Sequence, residues 1–121
     1  MIDFNQIPKE RIIFNNELFF IIKDKFPVSP GHLLIISKGI KKDFFELSLE
    51  EKEKLPKMID KAKQLIKQEY NPDGYNIGMN CGDSAGQTVF HFHCHIIPRY
   101  KGDMDNPRGG VRGVIPSKRK Y

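Results

Sequence analysis

HFHCHIIPR, residues 91–99, alternates imidazole with apolar side chains over its first six positions. In an extended chain successive side chains point to opposite faces. His91, His93 and His95 are therefore predicted to share one face of a β-strand, with Phe92, Cys94 and Ile96 facing a core. Three of the chain's four histidines stand here. Imidazole can act as neutral nucleophile, proton donor or metal ligand near neutral pH, so the chemistry is sought on that face.

Outward from this strand the chain reads as alternating strands around one helix. Two apolar runs, 11–14 and 18–22, flank the turn-forming Asn15 and Asn16 and predict a β-hairpin. FPVSPGH, residues 26–32, holds two prolines and a glycine and reads as a shaped loop, leading into a buried third strand at 33–36. Ser48 followed by Glu51 is a capping-box signature. Beyond it Leu55, Met58, Ile59, Ala62, Leu65 and Ile66 recur at helical spacing, predicting an amphipathic helix to about Tyr70. Pro56 is expected to kink that helix or to mark a late start. Residues 71–74, NPDG, read as a stop, 75–79 as a fourth strand and 91–97 as a fifth. After Pro98 the pattern fades into a glycine-rich, charged tail over 99–121. The order β-β-β-α-β-β predicts an α+β fold, one domain over 1–121 with a mainly antiparallel five-stranded sheet and one long helix.

Composition narrows the function. The 121 residues carry a net charge of +5, spread along the chain, which suits an anionic small molecule as well as a nucleic-acid surface. Cys81 and Cys94 are the only cysteines and make neither a disulfide framework nor a CxxC zinc pair, so a reducing cytoplasm is expected. MIDFNQIPKE lacks the cationic start and apolar stretch of a signal peptide. No apolar run nears the ~18 residues that span a bilayer, so no membrane partner is expected.

NCGDSAGQT, residues 80–88, immediately precedes the histidines. Gly82 and Gly86 allow tight turning and exposed N–H groups, as in anion-binding nests, and Gln87 and Thr88 add side-chain donors. Three readings of the histidines follow. Three imidazoles in strict alternation argue against ordinary surface residues. A metal site faces a geometric obstacle, since His91 and His95 would stand ~13 Å apart along a strand and cannot both reach a ~2 Å coordination sphere. In the remaining reading neutral His93, with a free pKa of ~6.5, attacks a phosphorus atom while His91 and His95 flank it. Clustering favours the neutral form, and phosphoryl-type transfer asks mostly for positioning and charge stabilisation.

AGQTVFHFHCHIIPR (85–99) resembles the signature of the histidine triad (HIT) family of nucleotide hydrolases and transferases. IIF (12–14) and DKFPVSPGHLLIISK (24–38) resemble that family's nucleotide-binding half. NPRGGVRGVIPSKRKY (106–121) resembles the tail of bacterial diadenosine polyphosphate hydrolase-like members. The resemblance implies that His93 becomes nucleotidylated, flanked by His91 and His95, with His32 as a fourth active-site histidine. It implies an amide from Asn80 near the scissile phosphate, with the Gly86 N–H and Thr88 hydroxyl on the α-phosphate. Asp24 would bind the ribose, and Ile12 and Phe14 would lie near the base. It also implies a homodimer with a sheet running across both subunits. Two departures stand out. Ser37-Lys38-Gly39-Ile40 replaces a Pro-Lys-x-His found in many relatives, and the cysteine pair that gives some bacterial members a structural zinc is absent.

The expected function is hydrolysis or transfer of a nucleoside monophosphate from a dinucleoside polyphosphate or phosphoramidate through a nucleotidyl-histidine. Water resolves the intermediate, and the 80–88 loop stabilises charge on the phosphate oxygens. No protein-bound metal is required, although magnesium can accompany a polyphosphate substrate, and no nucleic-acid partner is expected. Two alternatives stay open: a non-catalytic nucleotide-binding or sensor protein, and a His-ligated metal-dependent hydrolase.

Overall fold

The computed structural model describes residues 6–121. Half of the polar opening segment that was read against a signal peptide, residues 1–5, lies outside the described residues. Five strands form one antiparallel sheet in the order β1-β2-β3-β5-β4: β1 Ile12–Asn15, β2 Phe19–Lys23, β3 Leu33–Ser37, β4 Gly74–Gly78 and β5 His93–Arg99. One helix, α1, spans Leu49–Glu69 between β3 and β4. The α+β architecture read from the sequence is the one observed. No helix among the described residues is long and apolar enough to cross a membrane.

α1 starts at its capping box. Ser48 Oγ accepts the Glu51 N–H, and Glu51 Oε1 accepts the Ser48 N–H, pairing two of the donors that a helix start otherwise leaves unmet. The late start considered for Pro56 is thereby overturned: Pro56 sits inside the helix. Its ring removes one backbone donor on an exposed face, and the buried stripe of Leu55, Met58, Ala62 and Ile66 holds the helix to the sheet. These residues meet Phe19, Ile21, Leu33, Ile35, Cys94 and Ile96 in one apolar cluster.

The other face of the sheet carries a smaller apolar cluster of Ile22, Leu34 and Ile36, with Ile7, Ile12, Phe20 and Val89 packed on it. His93 and His95 pair with Ile36 and Leu34 of β3 and so share this second face. A bulge in β1 between Ile12 and Phe14 decides which of those two joins them. Ile12 lies opposite Ile22, but Phe14 lies opposite Ile21. Phe14 therefore turns to the helix side, where the Lys61 ammonium sits 5.0 Å from its ring centre. Ile12 and Phe14, both expected near a base, are thus set on opposite faces of the sheet by this one extra residue.

β5 also differs from its expected span. It begins at His93 rather than His91 and runs through Pro98 to Arg99. Pro98 is tolerated because β3 pairs with β5 only through Ile96, so its missing N–H falls beyond that ladder. β4 likewise begins one residue early, at Gly74. Residues past Arg99 are not featureless, for two short 3-10 helices, Gly110–Val114 and Pro116–Lys118, fold there.

Candidate active site

β5 starts at His93, and the three histidines hold different hydrogen bonds. His91 is buried before the strand, and its Nε2 donates to the Ser37 carbonyl across on β3 at 2.7 Å. Its own carbonyl then accepts from His93 Nδ1 at 2.9 Å. A carbonyl can only accept, so the Nδ1 of His93 carries the proton and the lone pair lies on Nε2. His91 thus acts on His93 through its backbone, which the alternation pattern could not reveal. The Ser37 hydroxyl donates to the Gly39 carbonyl at 2.8 Å and shapes the departing loop.

A second hydrogen-bond chain sets the opposite tautomer in the neighbouring rings. The Val28 N–H donates to His32 Nδ1 at 3.0 Å, so neutral His32 carries its proton on Nε2. That proton points at His95 Nδ1, 2.9 Å away, with Asp24 Oδ2 at 3.3 Å. His95 Nδ1 is then the acceptor, and neutral His95 carries its proton on Nε2. The His93 and His95 rings meet edge-on with centres 5.3 Å apart. One ring presents a lone pair and the other an N–H. Burial, aided by repulsion from His93 and His32, pushes His95 down to about 4 despite the raising influence of Asp24. Burial also lowers His32, against the opposing pull of Asp24. Both are neutral at neutral pH.

The SPGH loop holds this chain in place. Gly31 takes φ +92°, a conformation natural to glycine, and Ser29 Oγ donates to the Pro98 carbonyl at 2.5 Å. Asp24 Oδ1 accepts the Phe26 N–H at 2.7 Å, which turns its other oxygen toward His32. The side-chain donor atoms of Asp24, His32 and His95 lie within 4.8 Å of one another, close enough to surround a cation. The tautomer argues against one, because His32 Nδ1 is occupied as an acceptor and its Nε2 proton excludes that lone pair from coordination.

The glycine loop departs from expectation in two places. Gln87 is buried, with Oε1 accepting the Gly82 N–H and Nε2 donating to the carbonyls of Lys42 and Val89. Both amide hydrogens are spent, so Gln87 braces the loop instead of offering a donor to phosphate. The Gly86 N–H donates to the Asp83 carbonyl at 2.9 Å, and Gly86 serves through its φ of +93°, which turns the chain after a 3-10 helix at Asp83–Ala85. Asn80 and Thr88 stay exposed on either side of this brace. Gly78 pairs with His95 across β4 and β5, and a side chain there would meet no protein atom, so open space stands in front of His95. A cavity of about 890 Å³ occupies it, lined by His32, His95, Ser29 and Asn80 among others. Asp24 and His32 also border a smaller cavity of about 350 Å³ toward Leu65 and Tyr70.

Known proteins share this fold. The HIT domain model matches residues 5–102. A bis(5'-adenosyl)-triphosphatase of Dictyostelium discoideum is 37% identical over 100 residues, 83% of this chain and 67% of that protein. An AP-4-A phosphorylase of Mycobacterium tuberculosis is 31% identical over 95 residues, 78% of this chain and 49% of the relative, so this chain spans about half of it. Among solved structures, Plasmodium falciparum diadenosine triphosphate hydrolase in complex with cyclomarin A aligns with a TM-score of 0.76 at 28% identity, covering 83% of this chain and 68% of that one.

The depressed histidines set a pH dependence of stability. An unfolded histidine takes up its proton near 6.5, whereas His95 in the fold resists until about 4. Over that window the unfolded chain binds more protons, so stability present above 6.5 is lost as the pH falls toward 4. His32 acts in the same direction. Melting temperatures between pH 7 and 4 are expected to fall, with a shallower fall in His95→Asn. An equal slope in that variant would contradict the neutral, buried His95.

Proposed function

This chain belongs to the HIT domain family, and from that membership we propose that it is a nucleotide hydrolase working through a nucleotidyl-histidine on His93. The observation that carries the reading is the hydrogen bond from His93 Nδ1 to the His91 carbonyl, which directs the lone pair to Nε2. That nitrogen attacks the α-phosphorus. A P–N bond to His93 forms while the bond from phosphorus to the leaving group breaks, and the leaving group departs with the electron pair. His95, neutral and protonated on Nε2, offers a hydrogen bond to the phosphate and the departing atom, and His32 with Asp24 holds its orientation. Water then attacks phosphorus, the P–N bond breaks and the nucleoside monophosphate leaves. Asn80, which lines the cavity, and the exposed Thr88 hydroxyl fit donors to the phosphate oxygens. Ile12 on the histidine face fits a wall for the base, and Asp24 fits a partner for the ribose hydroxyls.

No protein-bound metal enters this scheme, and the His32 tautomer supports that. Magnesium belongs to it only as the companion of a polyphosphate substrate. The substrate class, a dinucleoside polyphosphate or a nucleoside phosphoramidate, is supported by relatives named as a bis(5'-adenosyl)-triphosphatase and an AP-4-A phosphorylase. The same proposal includes a homodimer joined along β4, which lies at the sheet edge where an unpaired strand invites a partner. A monomeric mass by sedimentation would remove that part.

His93→Ala is expected to lower turnover of an adenosine phosphoramidate and of diadenosine tetraphosphate by at least about 1,000-fold, the scale of losing a nucleophile, while nucleotide binding persists. Acid-quenched wild type should carry a nucleotide adduct that the variant lacks. Turnover near wild type in His93→Ala would end the covalent mechanism.

A further inference from the structure

The family model ends at residue 102, yet the large cavity beside His95 and Asn80 is also lined by later residues, among them Pro107, Val111, Val114 and Arg119. This C-terminal wall has a built interior. Gly109 takes φ +95°, and a Cβ there would collide with the carbonyl oxygen of Arg119. A Cβ at Gly113 would stand 3.4 Å from Arg119 Cδ. The two glycines form a slot for the Arg119 stem, and Arg119 Nη1 donates to the Asn106 carbonyl at 2.9 Å. Arg108 and Arg112 tie the same segment together by donating to the carbonyls of Tyr121 and Lys118 and by lying over the Tyr121 ring.

Charge gives the wall a purpose. Residues 106–121 hold five basic side chains and no acidic one. Two arginines line the cavity, and they differ. Arg99 is neutralised by a two-pronged ion pair with Asp103, at 2.8 and 2.7 Å, and also donates to Asn76 Oδ1 at 2.7 Å. Arg119 contacts a carbonyl, and among the described residues no carboxylate pairs with it. A guanidinium held by a fixed stem, its charge uncompensated, at the wall of a cavity beside a phosphate-handling centre is a site for a further phosphate.

Resting on the nucleotidyl-histidine reading, we infer that Arg119 binds the phosphates of the leaving group, so that the C-terminal wall selects substrates with a polyphosphate leaving group. The α-phosphate lies at His93 and its loop, and the chain of phosphates runs outward along the wall. An adenosine phosphoramidate, whose leaving group has no phosphate, makes no use of Arg119.

The test compares kcat/KM for diadenosine tetraphosphate with that for adenosine phosphoramidate in wild type, Arg119→Gln, Arg119→Lys and Gly109→Val. The ratio of the two is expected to fall about 10- to 100-fold in Arg119→Gln, the range of one charge-assisted hydrogen bond, mainly through KM for the polyphosphate. Arg119→Lys should restore part of it. Gly109→Val, which expels the Arg119 segment without touching its charge, should reproduce the loss. A ratio that stays within about twofold, or an equal fall on both substrates, overturns the inference. Wild type that cleaves the phosphoramidate but not the polyphosphate also overturns it and spares the nucleotidyl-histidine reading. Cleavage of neither substrate overturns that reading itself.

Discussion

The hydrogen bond from His93 Nδ1 to the carbonyl of His91 is the constraint from which the rest of the site follows. Two imidazoles on one strand with ring centres 5.3 Å apart are chemically equivalent until something assigns their protons. Here the backbone does it twice, with opposite results. A carbonyl takes the Nδ1 proton of His93, while an amide N–H, relayed through His32, takes the Nδ1 lone pair of His95. One ring becomes the nucleophile and its neighbour the donor, and burial keeps both His32 and His95 neutral so that the assignment persists.

The sheet exists in the form this demands. β5 is central, between β3 and β4, so its position is fixed from both sides. Cys94 and Ile96 are sunk in the helix-side core, and burial pushes the Cys94 thiol up to about 12, leaving it an apolar filler. His91 is anchored to Ser37 at the end of β3, and Gln87 ties the glycine loop to the Lys42 and Val89 carbonyls. Polar groups near the site are spent on holding backbone in place, which is what positioning chemistry requires.

Much of this was legible in the sequence because the signals were periodic. Alternation over 91–96 and the i, i+3, i+4 stripe after Ser48 each report which side a residue faces, and burial enforces both. What escaped reading was non-periodic. One bulged residue moved Phe14 to the helix face. His91 stands two residues from His93 in sequence, yet its ring bonds the Ser37 carbonyl and its own carbonyl takes the His93 proton. Gln87 and the Gly86 N–H looked like phosphate donors because a sequence lists donors without saying which acceptors consume them. Pro56 suggested a break that a capped helix with a buried stripe overrides. The role of residues 104–119 depends on Gly109 and Gly113 receiving Arg119 ten and six residues later, a contact no local pattern announces.

The tautomers can be read directly. Nitrogen-15 NMR of the histidine side chains near neutral pH distinguishes the protonated ring nitrogen in each of the four residues. The account predicts His93 with its proton on Nδ1, and neutral His32 and His95 with theirs on Nε2. A neutral His93 ring with its proton on Nε2 would contradict it, because the lone pair that must attack phosphorus would then be gone.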